Sequence, residues 1–123
     1  MTKAQRESAA NAIAVGRIAV GSSAWLTPNL AGRMFGLDPD GNPQLPYVGR
    51  LFGARDVVLG AGVLRSPRKQ KEAWVTAGLA CDVADVAAGV LAGARRQLPL
   101  GAAALVTATA AAFAAAGAWL LQQ

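Results

Sequence analysis

The stretch "GRLFGARDVVLG", residues 49–60, decides how the chain is read. Arg50, Arg55 and Asp56 sit inside a segment otherwise made of leucine, valine, phenylalanine, alanine and glycine. A water-soluble helix would turn such charges outward. A membrane helix must hold them against other helices, because an ionised group facing lipid is costly and marks an inward-facing site. The rest of the chain chooses between these two.

Its 123 residues suit one domain, with 54% hydrophobic and 15% charged residues. An average soluble domain carries about 25% charge. Mean hydropathy is only +0.33, because alanine and glycine supply much of the apolar count. There is no histidine, so a histidine metal ligand, base or pH switch is excluded. The single Cys81 excludes an intrachain disulfide, and zinc or iron–sulfur spacing is absent. No cofactor and no metal are expected. The net charge of +5 is split between chain ends and loops, without aromatic interleaving. That pattern argues against a nucleic-acid partner.

Four apolar segments stand out, at about 9–26, 45–64, 73–93 and 98–121. None shows strand alternation, and each is close to the roughly 20 residues that a membrane-spanning helix needs. Residues 97–123 hold no charge at all. Between the first two segments, Pro28, Pro39, Pro43, Pro46 and "DPDGNP" are turn chemistry. Within that loop "NLAGRMFGL" has the makings of a short interfacial helix. "RSPRKQKE" and "ARRQLP" join the later segments. Arg17, inside the first apolar segment, argues against a cleaved signal peptide. The expected fold is all-α: four transmembrane helices in one integral membrane domain over residues 1–123.

Loop charge sets the orientation. With the N-terminus inside, the inner regions hold Lys3, Arg6, Arg65, Arg68, Lys69 and Lys71, and the outer loops hold Arg33, Arg95 and Arg96. An excess of loop Lys and Arg marks the cytoplasmic side, so both termini are expected inside. Trp25 and Tyr47 then fall at the outer interface, and Trp74 and Trp119 at the inner one, as aromatic belts do. A bacterial inner-membrane location is expected.

The charges lie deep. Arg17 is near the middle of the first segment, Arg55 and Asp56 of the second, Asp82 and Asp85 of the third. Arg50 lies about one and a half turns from its segment's middle, within reach of the outer interface. A charge at a helix centre costs about 2.5–3.5 kcal/mol, and each large aliphatic or Phe returns about 0.3–0.6. The third segment therefore faces roughly +5 to +7 kcal/mol against about −3 and needs partners. Arg17, Arg50 and Arg55 balance Asp56, Asp82 and Asp85, which predicts an interior ion-pair network. Arg55 could meet Asp82 or Asp85, and Arg17 could meet Asp56, but the spacing does not choose which pairs form. Balance favours a structural role, since a proton carrier or substrate counter-ion is usually left uncompensated.

Spacing places the acids on small-residue faces. Gly78, Asp82, Asp85 and Gly89 share offsets 0, 4, 7 and 11 with Gly49, Gly53, Asp56 and Gly60. Each set is one helix face, and glycines let a neighbouring backbone approach closely. Both fit the frame G-x6-D-V-x2-G, a hint of two repeated hairpins. Thr107 and Thr109 are expected to bond their own helix carbonyls.

"GRIAVG…TP…FGL", "GRLFGARDVVLGAGVL" and "CDVADVAAG" together resemble an uncharacterised family of small four-span membrane proteins from high-GC bacteria. That family has a G-R-x-F-G-x-R-D core and a later D-x-x-D, and the resemblance runs from about Gly16 to Gly89. It implies the four-span fold and the importance of Arg17, Arg50, Arg55, Asp56, Asp82 and Asp85, and it implies no chemistry. "DVAD" also looks like the D-x-x-D of phospholipid-headgroup transferases, but their following D-G-x-x-A-R is missing. Small multidrug exporters share the size and span number, yet place an acid where this chain has Arg17.

Three functions are compatible with this reading. The first is an accessory or assembly subunit that associates with itself or with other membrane proteins. The second is a proton-coupled transporter or binder of a small lipophile or cation. The third is a membrane enzyme on a lipid or isoprenoid substrate, which requires an acid free of any arginine. Membrane lipids are expected partners in all three.

Overall fold

The computed structural model describes residues 1–123 as α1 (Lys3–Leu26), α2 (Pro28–Met34), α3 (Leu45–Arg65), α4 (Arg68–Ala94) and α5 (Leu100–Leu121), with no strand. The boundaries follow local chemistry. α1 opens on a capping box: the Gln5 N–H donates to Thr2 Oγ1 at 3.1 Å, and the Thr2 N–H donates to Gln5 Oε1 at 2.8 Å. Two otherwise orphaned donors are thereby satisfied, so the helix starts at Lys3, ahead of the apolar run from residue 9. It stops at Leu26 because Pro28 disfavours helical geometry at Thr27. α2 is the short helix expected in the first loop; it ends at Met34, and two residues on Gly36 turns the chain away with a φ of +80°, which suits a residue without a Cβ.

Asp38 organises the next turn: its Oδ1 accepts from the Asp40 N–H at 3.1 Å and its carbonyl from Asn42 Nδ2 at 2.7 Å. Pro46, expected in the loop, lies in the first turn of α3, where its missing N–H has no helical partner to lose. α4 begins at Arg68, five residues before the expected start. Charged residues there extend the helix beyond its apolar part.

The four long helices have 21 to 27 residues. At 1.5 Å per residue they are about 31–40 Å long, matching a hydrocarbon core of about 30 Å. Two of them, α4 and α5, are also apolar enough to cross a membrane. α1 falls short through Asn11, Arg17, Ser22 and Ser23, and α3 through Arg50, Arg55 and Asp56.

α1 packs mainly on α3 and α4 mainly on α5, while α3 also meets α4 and α1 also meets α4 and α5. The α1–α3 crossing rests on backbone contact. A Cβ built on Gly21 would stand 2.6 Å from the Gly53 carbonyl oxygen, and one on Gly53 would overlap the Gly21 carbonyl. Gly49, Gly53 and Gly60 thus all turn toward α1 or its end. The matching face of α4 is shared out: Gly78 faces Arg17 of α1, and Gly89 faces Thr107 of α5. The two faces have equal spacing but unlike partners, so the shared frame does not act as a structural repeat. Thr109 donates to the Leu105 carbonyl at 2.8 Å.

Within a helix, Gly→Ala usually gains about 1 kcal/mol. At Gly53 the sign is expected to reverse, by about 1–3 kcal/mol, because the helices must part to admit the methyl. Gly101 has nothing within 4 Å of its would-be Cβ, so Gly101→Ala is expected to be neutral or stabilising. Thermal unfolding of the two variants in the same detergent checks the contrast.

Only 21 of 123 residues are buried, and the buried set holds Arg17, Asp56, Lys71 and Asp82 beside a core of small and aliphatic side chains. One apolar cluster, Ala10, Ala14, Val63, Val75 and Leu120, closes the end where Trp74 packs. Large apolar side chains face outward along the helices, among them Val15, Leu51, Val58, Val83 and Leu105.

Candidate functional site

Five charged side chains meet where the long helices come together. Arg17 projects from α1, Arg55 and Asp56 from α3, Asp82 and Asp85 from α4. Asp82 and Asp85 are three residues apart and so lie on one face of α4. Arg55 and Asp56, being adjacent, diverge around α3 and reach different neighbours.

Two forked ion pairs form. Arg17 Nη1 and Nη2 donate to Asp82 Oδ1 and Oδ2 at 2.9 and 2.6 Å. Arg55 Nη1 and Nη2 donate to Asp85 Oδ1 and Oδ2 at 2.9 and 2.6 Å. Such bidentate pairs are charge-assisted and fix orientation as well as distance. Asp56 joins them: its Oδ1 accepts from Arg55 Nη2 at 3.3 Å and lies 3.7 Å from Arg17 Nη1. The first fork is dry, with Arg17 6%, Asp56 4% and Asp82 3% exposed. The second lies nearer the surface, with side-chain exposure of 32% for Arg55 and 29% for Asp85.

Rings and glycines frame the arginines. The Arg17 guanidinium lies 5.1 Å from the Phe113 ring centroid, which brings α5 into the site. The Arg55 guanidinium lies 4.9 Å from the ring of Phe52, one turn earlier on α3. A ring face attracts a guanidinium most where water is excluded. Gly78 leaves room for the first fork, since a Cβ there would stand 2.9 Å from Arg17 Nη2. Arg55 Nε is buried without a partner.

No family model, curated protein or solved structure matches the chain. The site is therefore read from its own geometry.

That geometry settles the pairing and changes the balance. Arg17 spends its fork on Asp82, with Asp56 as a longer contact, and Arg55 spends its fork on Asp85. Arg50, expected in the network, lies outside it: the side chain is exposed, and its Nε donates to the Trp25 carbonyl at 3.1 Å. It caps the C-terminal end of α1. The network thus holds two guanidiniums and three carboxylates rather than the balanced six. Asp56 is the acid without a fork of its own.

Each of the three acids also lies within 3.7 Å of an arginine. The arginine-free acid that general-acid chemistry required is not found among them. Phe52 and Phe113 were missed by the sequence reading. The signal for Phe52 was its i, i+3 spacing to Arg55. Phe113 had none, since only the approach of α5 to Arg17 gives it a role.

The asymmetry among the acids makes a prediction. Asp56→Asn removes the surplus charge and keeps an amide oxygen that accepts from Arg55. Asp82→Asn breaks a fork on a buried guanidinium. The Asp82 variant is expected to lose about 2 kcal/mol more than the Asp56 variant, judged by charged hydrogen bonds of about 1.5–3 kcal/mol each. Unfolding midpoints of the two in detergent test this.

Proposed function

We propose that this chain is a four-span membrane protein with both termini inside, acting as an accessory or assembly subunit of a membrane complex or homo-oligomer. The observation that carries the reading is the inversion of interior and exterior. Arg17, Asp56 and Asp82 are buried, while Val15, Leu51, Val58, Val83 and Leu105 are exposed. A soluble protein rarely buries charged side chains, even paired ones, while showing water so many large apolar ones. In a bilayer the same arrangement is favourable: lipid covers the aliphatic surface, and the network brings α1 and α3 across despite their modest apolarity. Loop charge supports the orientation, because Lys3, Arg6, Arg65, Arg68, Lys69 and Lys71 gather at one end of the long helices.

The subunit role draws on α5. Ala104, Ala108, Ala111 and Ala115 are exposed at offsets 0, 4, 7 and 11. Small residues at that spacing let a second membrane helix approach closely. The test is extraction in mild detergent, followed by the mass of the particle. A stoichiometric partner or a defined multiple of the 12.5 kDa chain is expected. A bare monomer at all detergent concentrations would contradict the subunit role.

Asp56 supports a second reading, the proton-coupled transporter or binder. An acid in excess over its arginines is suited to exchange a proton or accompany a cation. Infrared difference spectra through an acid titration test it: a carboxylic-acid carbonyl band should be present in the parent and lost in Asp56→Asn.

A further inference from the structure

The inner end of the protein carries a second charged site, built quite differently from the network. A cleft of about 130 Å³ opens between the start of α1, the start of α4 and the end of α5. Its wall presents the cations Lys3, Arg6, Arg68, Lys69 and Lys71. The opposing carboxylates are Glu7 and Glu72, which leaves a net charge of +3. Glu7 is already committed, accepting from Arg68 Nε at 2.8 Å. Leu120 and Leu121 give the cleft an apolar side. A water needs only about 10–15 Å³ of such space, so the cleft takes a polyatomic anion.

Lys71 is the residue that turns a basic patch into a built site. It is 6% exposed, yet no carboxylate pairs with it. Its Nζ donates to the Val63 carbonyl and, at 3.2 Å, to Asn11 Oδ1. Both acceptors are neutral. An ammonium has three donors, and these two acceptors account for only two of them. A buried cation held only by neutral acceptors is costly unless an anion completes it. α4 adds to the field: its first turn holds no acidic residue, and no side chain caps its N-terminus.

We infer that this cleft binds the phosphate group of an anionic phospholipid, with Lys71 as the buried contact, Lys3, Arg6 and Lys69 as the outer cations, and Leu120 and Leu121 beside the acyl chains. The inference rests on the membrane reading, which places this end at the inner headgroup layer. Basic clefts between helices on that side are suited to lipid phosphates.

The experiment reconstitutes the parent and a Lys3→Gln/Arg6→Gln/Lys69→Gln variant into nanodiscs of equal phosphatidylglycerol and phosphatidylcholine. The lipids retained are counted by native mass spectrometry. These three side chains form none of the ion pairs, so the variant keeps its fold. An Arg33→Gln/Arg95→Gln/Arg96→Gln variant at the opposite end is the control. Each basic side chain near an anionic surface is worth about fivefold in affinity. The parent and control are expected to retain phosphatidylglycerol selectively, and the inner-end variant to lose that selectivity by about tenfold or more. Equal retention of both lipids by the parent, or undiminished selectivity in the inner-end variant, overturns the site while leaving the membrane reading intact. A protein that does not enter the nanodisc overturns both. In detergent, a midpoint raised by inorganic phosphate but not by phosphatidylglycerol would assign the cleft to free phosphate and overturn the lipid.

Discussion

Replacing Arg17 with methionine is expected to remove most of the folded protein. The substitution keeps the length of the side chain and discards the charge that Asp82 and Asp56 face. Both acids stay buried, at 3% and 4% exposure, with no cation to hold Asp82. Breaking one side of a buried pair costs about 3–5 kcal/mol, because the remaining charge is uncompensated. That is a large share of a stability of about 5–15 kcal/mol, so expression and detergent-solubilised yield should fall together. The pair itself need not be what stabilises the fold. Arg17→Met combined with Asp82→Leu removes both charges of the fork and puts apolar side chains in their place. Replacing a whole buried pair with apolar residues is often neutral or better. The double variant is therefore expected to recover most of the lost midpoint. A double variant no better than Arg17→Met alone would show that Arg17 acts through something other than Asp82.

Reversing Arg55 is expected to be the next most damaging change. Arg55→Glu would leave four carboxylates on α3 and α4, at positions 55, 56, 82 and 85, with Arg17 alone to serve them. Asp85→Arg in the same chain restores a cation opposite Glu at position 55. Residues in one ion-pair network are coupled by about 0.5–3 kcal/mol, and here the coupling should be favourable. The exchange variant is expected to regain at least half of the midpoint lost by Arg55→Glu. The gain should be smaller than for the Arg17 pair, because Arg55 and Asp85 are about one third exposed and partly screened by solvent. A cycle of four midpoints measures the coupling directly.

Part of this arrangement was legible in the sequence. Apolar length marked four long helices and a short one between the first two. The depth of Arg17, Arg55, Asp56, Asp82 and Asp85 marked them as partners. The pairing was not legible, because it depends on how α1 rotates against α4, which no spacing within either helix encodes. Arg50 shows the same limit from the other side. Its charge completed a balanced set on paper, but it lies toward the helix end, where the Trp25 carbonyl is the nearer acceptor.

Lys71 was hidden for a different reason. Read as one of several charges in "RSPRKQKE", it belonged to a loop. The early start of α4 carries it instead under Val63 and Asn11. Apolar patterning locates the part of a helix that lipid covers, whereas hydrogen-bonding residues decide where the helix begins. Thr2 and Gln5 make the same point for α1, whose capping box precedes its apolar run.

The central claim is that α1 and α3 cross the membrane together with α4 and α5, with the charge network between them. Single cysteines on a Cys81→Ala background, at Asp40, Lys69, Arg96 and Gln122, and a membrane-impermeant thiol reagent test it most directly. The four-span arrangement predicts labelling of positions 40 and 96 from outside and of positions 69 and 122 only after the inner face is opened. If α4 and α5 alone crossed, positions 40, 69 and 122 would label from the same side. That result would place the network outside the bilayer and contradict the account.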